Sequence, residues 1–385
     1  MQKAAANPVR CALAGTGGNF GPMSSDLLTV VIASRNRPNL CARLARFLRK
    51  AGCPHPIVIA DSSRGPEADT LKTLCDGLAT VYSVNPDIDF LEKMRATIAT
   101  ITTPYVAMMP DDDITFPHAI EQCLSHLVEN PEVTAAQGYV LGFTANEGAF
   151  DVQRVVFFAP SLDEDNPIRR LHQLIRRYQP YFWAVFRRDA LLTAIQQAQR
   201  CSLYYFQETT LIATLALHGR FARLPCIYML RGTEPSEVSL TQIHPFFAFL
   251  LDSEKFLSAY HEYREDLIEM INRDFAPVPC PPDQLRHMLN LLHLIYWRSD
   301  IHAGMMEHMV MQMLDPDFPR LVLARPEPAV RPFDAAMDVT VASARPGRRY
   351  IWRHEVLEPE PRNEISITGE ERKRIIAALE EYDDV

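Results

Sequence analysis

Short apolar runs alternate with amphipathic segments along the first part of the chain. Apolar runs of this length, several of them rich in β-branched side chains, predict buried strands at residues 27–34, 57–60, 79–84 and 105–109. Between them, apolar residues recur at helical spacing in residues 39–52, 67–77 and 90–100. This order predicts an α/β fold with a Rossmann-like, mainly parallel sheet flanked by helices.

The pattern continues less regularly after residue 117. Residues 133–143 indicate a further strand pair, residues 148–158 a hairpin or a mobile loop, and Asn166 a cap for a basic helix at 167–178. An aromatic strand at 181–186, a helix at 209–218 and a last strand at 225–230 follow.

Composition and sequence pattern divide the chain into three regions. Residues 1–26 are rich in Gly, Ser, Ala and Asn and predict a flexible leader, and residues 27–240 hold the α/β domain. Residues 241–385 predict a mostly helical C-terminal extension with a proline-rich linker near 325–332. Thr368 and Glu371 have capping-box spacing and predict a surface helix at 368–382.

Net charge, the length of apolar runs and cysteine spacing argue against several classes of protein. The net charge of −9 argues against a nucleic acid as the main partner, since such proteins usually carry a basic excess. No apolar run approaches the roughly 18 residues of a transmembrane helix. The 8 cysteines are scattered without zinc-like spacing. We therefore expect a cytoplasmic protein with reduced, mostly buried thiols.

The clearest candidate chemistry is the triplet Asp111, Asp112 and Asp113, which follows the buried run YVAMM and Pro110. Open α/β sheets bind ligands where strands leave the sheet at their carboxyl ends. Adjacent carboxylates repel one another, and a bound cation or protonation relieves the repulsion. Oxygen-only ligands favour Mg²⁺ or Mn²⁺. The alternative is an acidic turn before a helix N-terminus.

Four segments in order carry a family resemblance: TVVIASRNRP, IVIADSS, FLEKMRATIATITTPYVAMMPDDDITFP and YFQETTLIATLALHGRFARLP. Together they resemble the family 2 type glycosyltransferases with the GT-A fold, over roughly residues 28–231. The resemblance implies a nucleotide-sugar donor, for which we expect a UDP-sugar, a divalent cation, and transfer to an acceptor hydroxyl with inversion. The acceptor would be a glycan, a lipid-linked molecule or a protein.

The resemblance also implies site residues. Asp113 and Asp111 would hold Mn²⁺ or Mg²⁺, with Asp112 on the donor ribose. Asp61 would contact the nucleotide; its alternative is a turn former beside two serines. Further candidates for the donor side are Arg35, Arg37, Lys93 and Arg231, with His244 as a candidate metal ligand. Surface positions are the alternative for Lys93, Arg35 and Arg37, and a structural role is the alternative for His244.

Glu208 is the candidate catalytic base, because inverting transfer needs a carboxylate to accept the proton of the acceptor hydroxyl. The family usually has Glu-Asp here, whereas this chain has Glu208-Thr209. An alternative role for Glu208 is an acid at a helix N-terminus.

Two groups of residues near this segment have competing interpretations. Aromatics at 181–183 and 204–205 predict either a wall for a sugar ring or core. The arginines between 169 and 188 predict either a site for an anionic acceptor or a solvated helix face.

Two other functions stay open. A sugar nucleotidyltransferase also uses an α/β sheet with metal-bound carboxylates, but the turn ASRNRP lacks the glycine-rich loop expected there. A non-catalytic nucleotide-sugar-binding scaffold would explain the missing second acid beside Glu208. The C-terminal helices are also a candidate surface for forming a homo-oligomer.

Overall fold

A computed structural model describes residues 26–86, 88–146, 149–157, 160–176, 178, 181–232, 248–249, 252–275, 281–299, 339–342, 349–352 and 369–382. The predicted leader, the proline-rich linker and His244 lie outside the described residues, apart from Asp26 at the end of the leader.

Four parallel strands form the first half of the sheet and confirm the predicted α/β fold. The strands and the helices between them are β1 (Leu28–Ser34), α1 (Pro38–Lys50), β2 (Ile57–Asp61), α2 (Pro66–Leu74), β3 (Val81–Val84), α3 (Phe90–Ala99) and β4 (Tyr105–Pro110). Their spatial order is β3-β2-β1-β4. Every residue of β1, β2 and β4 is buried, because helices cover both faces of such a sheet.

The second half of the sheet is mixed. It contains β5 (Ile114–Thr115), α4 (Pro117–Glu129), β6 (Val133–Asn146), β7 (Ala149–Phe157), α5 (Pro167–Arg176), β8 (Val185–Arg187), α6 (Arg188–Ala198), α7 (Tyr204–His218) and β9 (Arg220–Gly232). Strand β8 runs antiparallel to both β4 and β6, and β9 pairs with β6 in parallel and with β5 in antiparallel fashion.

Several predicted bounds in this half are wrong. Residues 133–146 form one long strand rather than a pair, and β7 pairs with it as a hairpin. The aromatic segment 181–186 forms a strand only from Val185 onward, because aromatic composition reports burial rather than strand pairing. Strand β9 begins at Arg220 rather than 225.

The predicted start of α7 is also wrong, and this changes the position of Glu208 within the helix. The helix begins at Tyr204 rather than Thr209, so Glu208 lies inside the helix and not at its first turn. Leu203 precedes the helix and provides no side-chain cap, so the sequence contains no capping signal for this start.

The described C-terminal elements pack onto the α/β sheet. They are α8 (Ser253–Asp274), α9 (Pro282–Ser299), β10 (Val339–Ala342), β11 (Arg349–Trp352) and α10 (Gly369–Tyr382). Buried residues of α8 and α9 share one hydrophobic cluster with α3, α5, α6 and α7. The division near residue 240 stays a prediction.

One feature of the C-terminal region differs from expectation. Strands β10 and β11 extend the sheet beyond β7, although helices were expected there. Helix α10 lies on the surface with Glu370 and Lys373 exposed, and its other face buries Ile375, Ala378 and Leu379 in the cluster that contains α1 and α4. Each missed strand has four residues, which is too short for a distinct alternating pattern.

Candidate functional site

The carboxyl ends of β1, β2 and β4 bring the predicted donor residues to one edge of the sheet. Strand register places Ser34 opposite Asp61 and Ala33 opposite Pro110. Asp111 therefore emerges beside Ser34, on the other side from Asp61. Parallel pairing alone produces this juxtaposition, since the three strands leave the sheet at a common edge.

Asp111 is buried and held from two sides. The Ser34 hydroxyl donates to its Oδ2 at 2.7 Å, and the Arg37 guanidinium donates to its Oδ1 at 3.3 Å. Burial raises the pKa of Asp111 to about 6, despite these two donors. Ser34 was not among the residues predicted for the site, although it is a polar residue at the end of β1 and therefore at the ligand edge.

Asp113 is as buried as Asp111, but its neighbours are residues at the end of β9. Strand β5 pairs Ile114 with Leu230 of β9, which carries Asp113 to the end of β9. There the Gly232 backbone N–H donates to its carboxylate, and the Arg231 guanidinium lies nearby. Burial outweighs both and raises the pKa of Asp113 to about 8. Asp113 is thus a buried carboxyl whose charge these neighbours do not fully offset.

Asp112, between the two buried aspartates, faces outward. Its side chain is 46% exposed, and its Oδ2 accepts from Arg37 at 2.6 Å. Arg43 donates to its backbone carbonyl at 3.4 Å. Asp112 therefore differs from its two neighbours in exposure, although it shares the Arg37 guanidinium with Asp111.

Asp61 is fully buried and both of its carboxylate oxygens are used. Oδ1 accepts from the Ser63 N–H at 2.9 Å and the Ser63 hydroxyl at 2.5 Å, and Oδ2 accepts from the Tyr82 hydroxyl. This is the geometry of a turn former, extended by a tyrosine from β3. The Tyr82 contact had no local sequence signal, because it depends on the pairing of β2 with β3.

Lys93 is buried at the same edge, so the surface alternative for this residue is wrong. Its Nζ donates to the Ser34 carbonyl at 2.8 Å and the Ser62 hydroxyl at 3.0 Å, which joins the ends of β1 and β2. Burial lowers the pKa of Lys93 to about 8. Arg35, also at the end of β1, is exposed.

Glu208 lies in α7 and has a tyrosine hydroxyl as its hydrogen-bond partner. The Tyr178 hydroxyl donates to Glu208 Oε1 at 2.8 Å. Burial raises the pKa of Glu208, while Tyr178 and the Arg231 guanidinium oppose the rise. The charge of Arg231 also opposes the rise in the pKa of Asp113, so the guanidinium is within electrostatic reach of both carboxyl groups.

Thr209 occupies the position where the family usually has a second acid. Its side chain is buried, and its hydroxyl donates to the Tyr205 carbonyl one helical turn earlier at 3.0 Å. A hydroxyl bonded within its own helix is not directed at a substrate. Glu208 is therefore the acid that this segment presents.

The aromatic residues are mostly core. Tyr181, Phe182 and Tyr205 are buried, whereas Trp183 is half-buried and Tyr204 is 45% exposed. The core alternative is correct for the first three.

Most of the described arginines between 169 and 188 serve local structure. Arg170 donates to the carbonyls of Ala216 and Leu217 at the end of α7. Arg187 donates to backbone carbonyls at the end of α4, and Arg188 donates to the Ile101 carbonyl. These contacts take up three of the arginines that an anionic acceptor would need.

That Asp111 and Asp113 hold a divalent cation stays a prediction. Within the described ranges, no group of three or more His, Cys, Asp or Glu side chains is arranged to hold a metal ion. The six cysteines in those ranges are free and buried, as predicted.

Comparisons with known proteins give a partial likeness in structure. No protein-family model and no curated protein matches the chain. The crystal structure of S. aureus TarS 1–349 has a TM-score of 0.43 and 11% identity, and the match covers 71% of this chain and 89% of that one. The same part of TarS in complex with UDP-GlcNAc gives a TM-score of 0.42 at 12% identity, covering 65% and 73% of the two chains. The complex with UDP also gives 0.42 and 12%, covering 71% and 89%.

A likeness of this extent assigns no activity to the chain. Of the helices that the structure describes, none is both long and apolar enough to cross a membrane.

Proposed function

We propose that this chain is a GT-A glycosyltransferase that moves a sugar from a nucleotide-sugar donor to an acceptor hydroxyl. The observation that carries the proposal is the edge at the carboxyl ends of β1, β2 and β4, where the buried carboxyl of Asp111 accepts from the Ser34 hydroxyl and the Arg37 guanidinium. A carboxyl at the ends of parallel strands is positioned for a ligand such as a nucleotide with its cation. Glu208, which accepts a hydrogen bond from Tyr178, supplies the carboxylate that the transfer step needs.

A divalent cation fits the donor edge. Mg²⁺-type sites commonly use one or two protein carboxylates and complete their coordination with substrate phosphates and water. Asp111 and Asp113 supply two buried carboxyls, which is compatible with the absence of a three-residue ligand group in the described ranges. Bound Mn²⁺ or Mg²⁺ would offset the charge that develops on the departing diphosphate. His244 stays a candidate ligand from sequence.

The reaction we propose is a single displacement. Glu208 accepts the proton of the acceptor hydroxyl, whose oxygen forms a bond to the anomeric carbon on the face opposite the donor phosphate. The bond between that carbon and the phosphate oxygen breaks, the electron pair leaves with the nucleoside diphosphate, and the configuration inverts. The raised pKa of Glu208 suits this role, since a more basic carboxylate accepts a proton more readily.

The remaining donor residues have supporting roles in this proposal. In this proposal the exposed Arg35 and Asp112 would face the nucleotide, and the buried Asp61 and Lys93 would support that edge from beneath. The UDP and UDP-GlcNAc complexes of TarS make UDP the first nucleotide to test. The acceptor class, the cytoplasmic location and a homo-oligomer remain predictions from the sequence.

Calorimetric titration with UDP, GDP and CDP, each with and without Mn²⁺, tests the donor site. We expect one diphosphate to bind in a Mn²⁺-dependent manner, and we expect Asp113→Asn to lose that dependence while the protein stays folded. If no nucleoside diphosphate binds under any condition, the three aspartates form an acidic turn and the proposal fails.

Glu208→Gln tests the catalytic step separately. The variant should bind donor like the wild type, and its turnover should fall by about 10²-fold or more, the usual scale for loss of a general base. The assay is release of nucleoside diphosphate from whichever sugar nucleotide binds. Unchanged turnover would remove Glu208 from the mechanism.

A non-catalytic nucleotide-sugar sensor is the second candidate. The observation in its favour is Thr209, which is bonded within α7 where a second acid would be expected. A sensor would bind the donor with cation dependence and show no transfer or donor hydrolysis, and Glu208→Gln would then change nothing measurable.

A further inference from the structure

Arg37 already places a positive charge where the proposed cation would bind. It follows β1 and precedes α1, and a single guanidinium nitrogen serves two carboxylates. This Nη1 donates to Asp112 Oδ2 at 2.6 Å and to Asp111 Oδ1 at 3.3 Å. Asp111 is thus a partner of Arg37 and also, in the proposed function, a ligand of the divalent cation.

The two oxygens of Asp111 are not equivalent toward a new ligand. Oδ2 accepts from the buried Ser34 hydroxyl at 2.7 Å, and the Asp111 side chain is itself buried, which fixes the plane of the carboxylate. Oδ1 is the oxygen that faces Arg37. A divalent cation held by Oδ1 would meet the Arg37 guanidinium at the same oxygen and be repelled by it.

Arg37 can withdraw without a movement of the backbone. Its side chain is 45% exposed, so solvent or a substrate can receive the guanidinium. The backbone before it is fixed, because the Asn36 N–H donates to the Ser63 hydroxyl at 2.7 Å and Asn36 has a φ of 54°. Asn tolerates this left-handed conformation better than most residues do. Only side-chain rotation is needed.

We propose that Arg37 is an internal counter-cation that exchanges with the divalent cation when donor binds. With the site empty, Arg37 holds Asp111 and Asp112. On donor binding it releases Asp111 to the cation and pairs with the diphosphate, for which a guanidinium is well suited. Arg37 thus opposes binding of the cation alone and favours binding of cation and nucleotide together. The inference rests on the proposed donor site.

The test compares Mn²⁺ binding by wild-type protein, Arg37→Ala and Arg37→Lys, measured by electron paramagnetic resonance without nucleotide. Arg37→Ala should bind Mn²⁺ about fivefold more tightly than wild type, the scale of a partly exposed ion pair that the metal no longer displaces. Arg37→Lys, which keeps the charge, should lie between them. Circular dichroism spectra establish that the variants are folded.

The second measurement is UDP binding at saturating Mn²⁺, where the effect should reverse. Arg37→Ala should bind UDP about tenfold more weakly, because the diphosphate loses a charge-assisted partner. Arg35→Ala is the matched control for metal binding: it removes the same charge two residues away, and Arg35 forms no described bond to the aspartates. It should leave the Mn²⁺ affinity close to that of wild type.

The outcomes separate the inference from the proposed function. Mn²⁺ affinity that is unchanged or weaker in Arg37→Ala overturns the counter-cation role, even if UDP binding depends on Mn²⁺. Equal tightening in Arg35→Ala also overturns it, because the effect would then be general charge. If the wild type binds neither Mn²⁺ nor UDP, the metal-dependent donor site fails together with the inference.

Discussion

The Tyr178 hydroxyl connects Glu208 to the segment that follows α5. This bond favours the ionised form of Glu208 and lowers its pKa, against the effect of burial. Tyr178→Phe should therefore raise the pKa of Glu208 further, and the acidic limb of the pH profile of kcat/KM should move to higher pH. Activity lost near neutral pH should be recovered at higher pH.

Tyr204→Phe is the control for this prediction. Tyr204 is also close to Glu208, but its side chain is 45% exposed and no described hydrogen bond joins the two. Its pH profile should match that of wild type. If Tyr178→Phe loses activity equally at every pH, Tyr178 supports the fold rather than the protonation state of the base.

Asp113 makes stability depend on pH when no cation is bound. Its pKa is about 8 in the folded protein and 3.8 ordinarily. Between these values the folded state holds a proton that the unfolded state has released, so the free energy of unfolding falls as pH rises from about 4 to about 8. Asp113→Asn removes the titrating group and should flatten this decline.

Urea denaturation in the presence of a chelator, at several pH values between about 5 and about 8, measures the slope. Asp69→Asn, a change at an exposed carboxylate of α2, leaves Asp113 and its neighbours in place and should keep the wild-type slope. A slope in Asp113→Asn as steep as that of wild type would show that other groups cause the decline.

At the scale of elements, helix α7 carries Glu208 and depends on a buried arginine at its end. Arg170 donates to the carbonyls of Ala216 and Leu217 at 2.6 and 2.9 Å, and to those of Glu164 and Asp165 at 2.6 and 2.9 Å. The last carbonyls of a helix have no partner within the helix. Arg170 therefore satisfies the end of α7 and fixes the segment that precedes α5.

Arg170→Ala should lower the free energy of unfolding by about 2 to 3 kcal/mol, because several buried carbonyls lose a charged donor. Arg169→Ala is the matched control, since Arg169 is 75% exposed and its Glu164 contact is 3.9 Å long. That variant should differ from wild type by less than about 0.5 kcal/mol. Chemical denaturation gives both values; equal losses would contradict the capping role.

At the scale of the whole molecule, the C-terminal helices complete a core that begins in α7. Phe206 stacks on Tyr263 of α8 with ring centroids 4.9 Å apart and an interplanar angle of 17°, and it also contacts Phe256 at 5.4 Å. A fragment that ends before His244 would expose this face of α7. We expect the fragment to aggregate or to lose cooperative unfolding, as measured by size-exclusion chromatography and thermal melting.

Point variants test the same core without truncation. Leu267 of α8 is fully buried, and Leu267→Ala should cost about 2 to 5 kcal/mol. Leu257 lies on the same helix but is 54% exposed, so Leu257→Ala should stay within about 0.5 kcal/mol of wild type. A well-folded fragment together with a mild Leu267→Ala would indicate that the region after residue 240 is an independent unit.

The sequence by itself determined the parallel half of the sheet and the edge on which the candidate site lies. Continuous apolar runs specify β1, β2 and β4, because strands covered on both faces cannot alternate with polar residues. Polar residues at the ends of those runs locate Asp61 and Asp111 at a common edge. Hydrophobic spacing likewise specified the helices between them.

Only the tertiary structure decided which groups distant in sequence meet. Tyr82 with Asp61, Tyr178 with Glu208 and Gly232 with Asp113 are separated by 21 residues or more along the chain. Such contacts follow from strand register and helix packing, which no local pattern encodes. Burial is decided the same way: Lys93 has the composition of a surface residue, yet the closing of β1, β2 and α3 around it removes it from water.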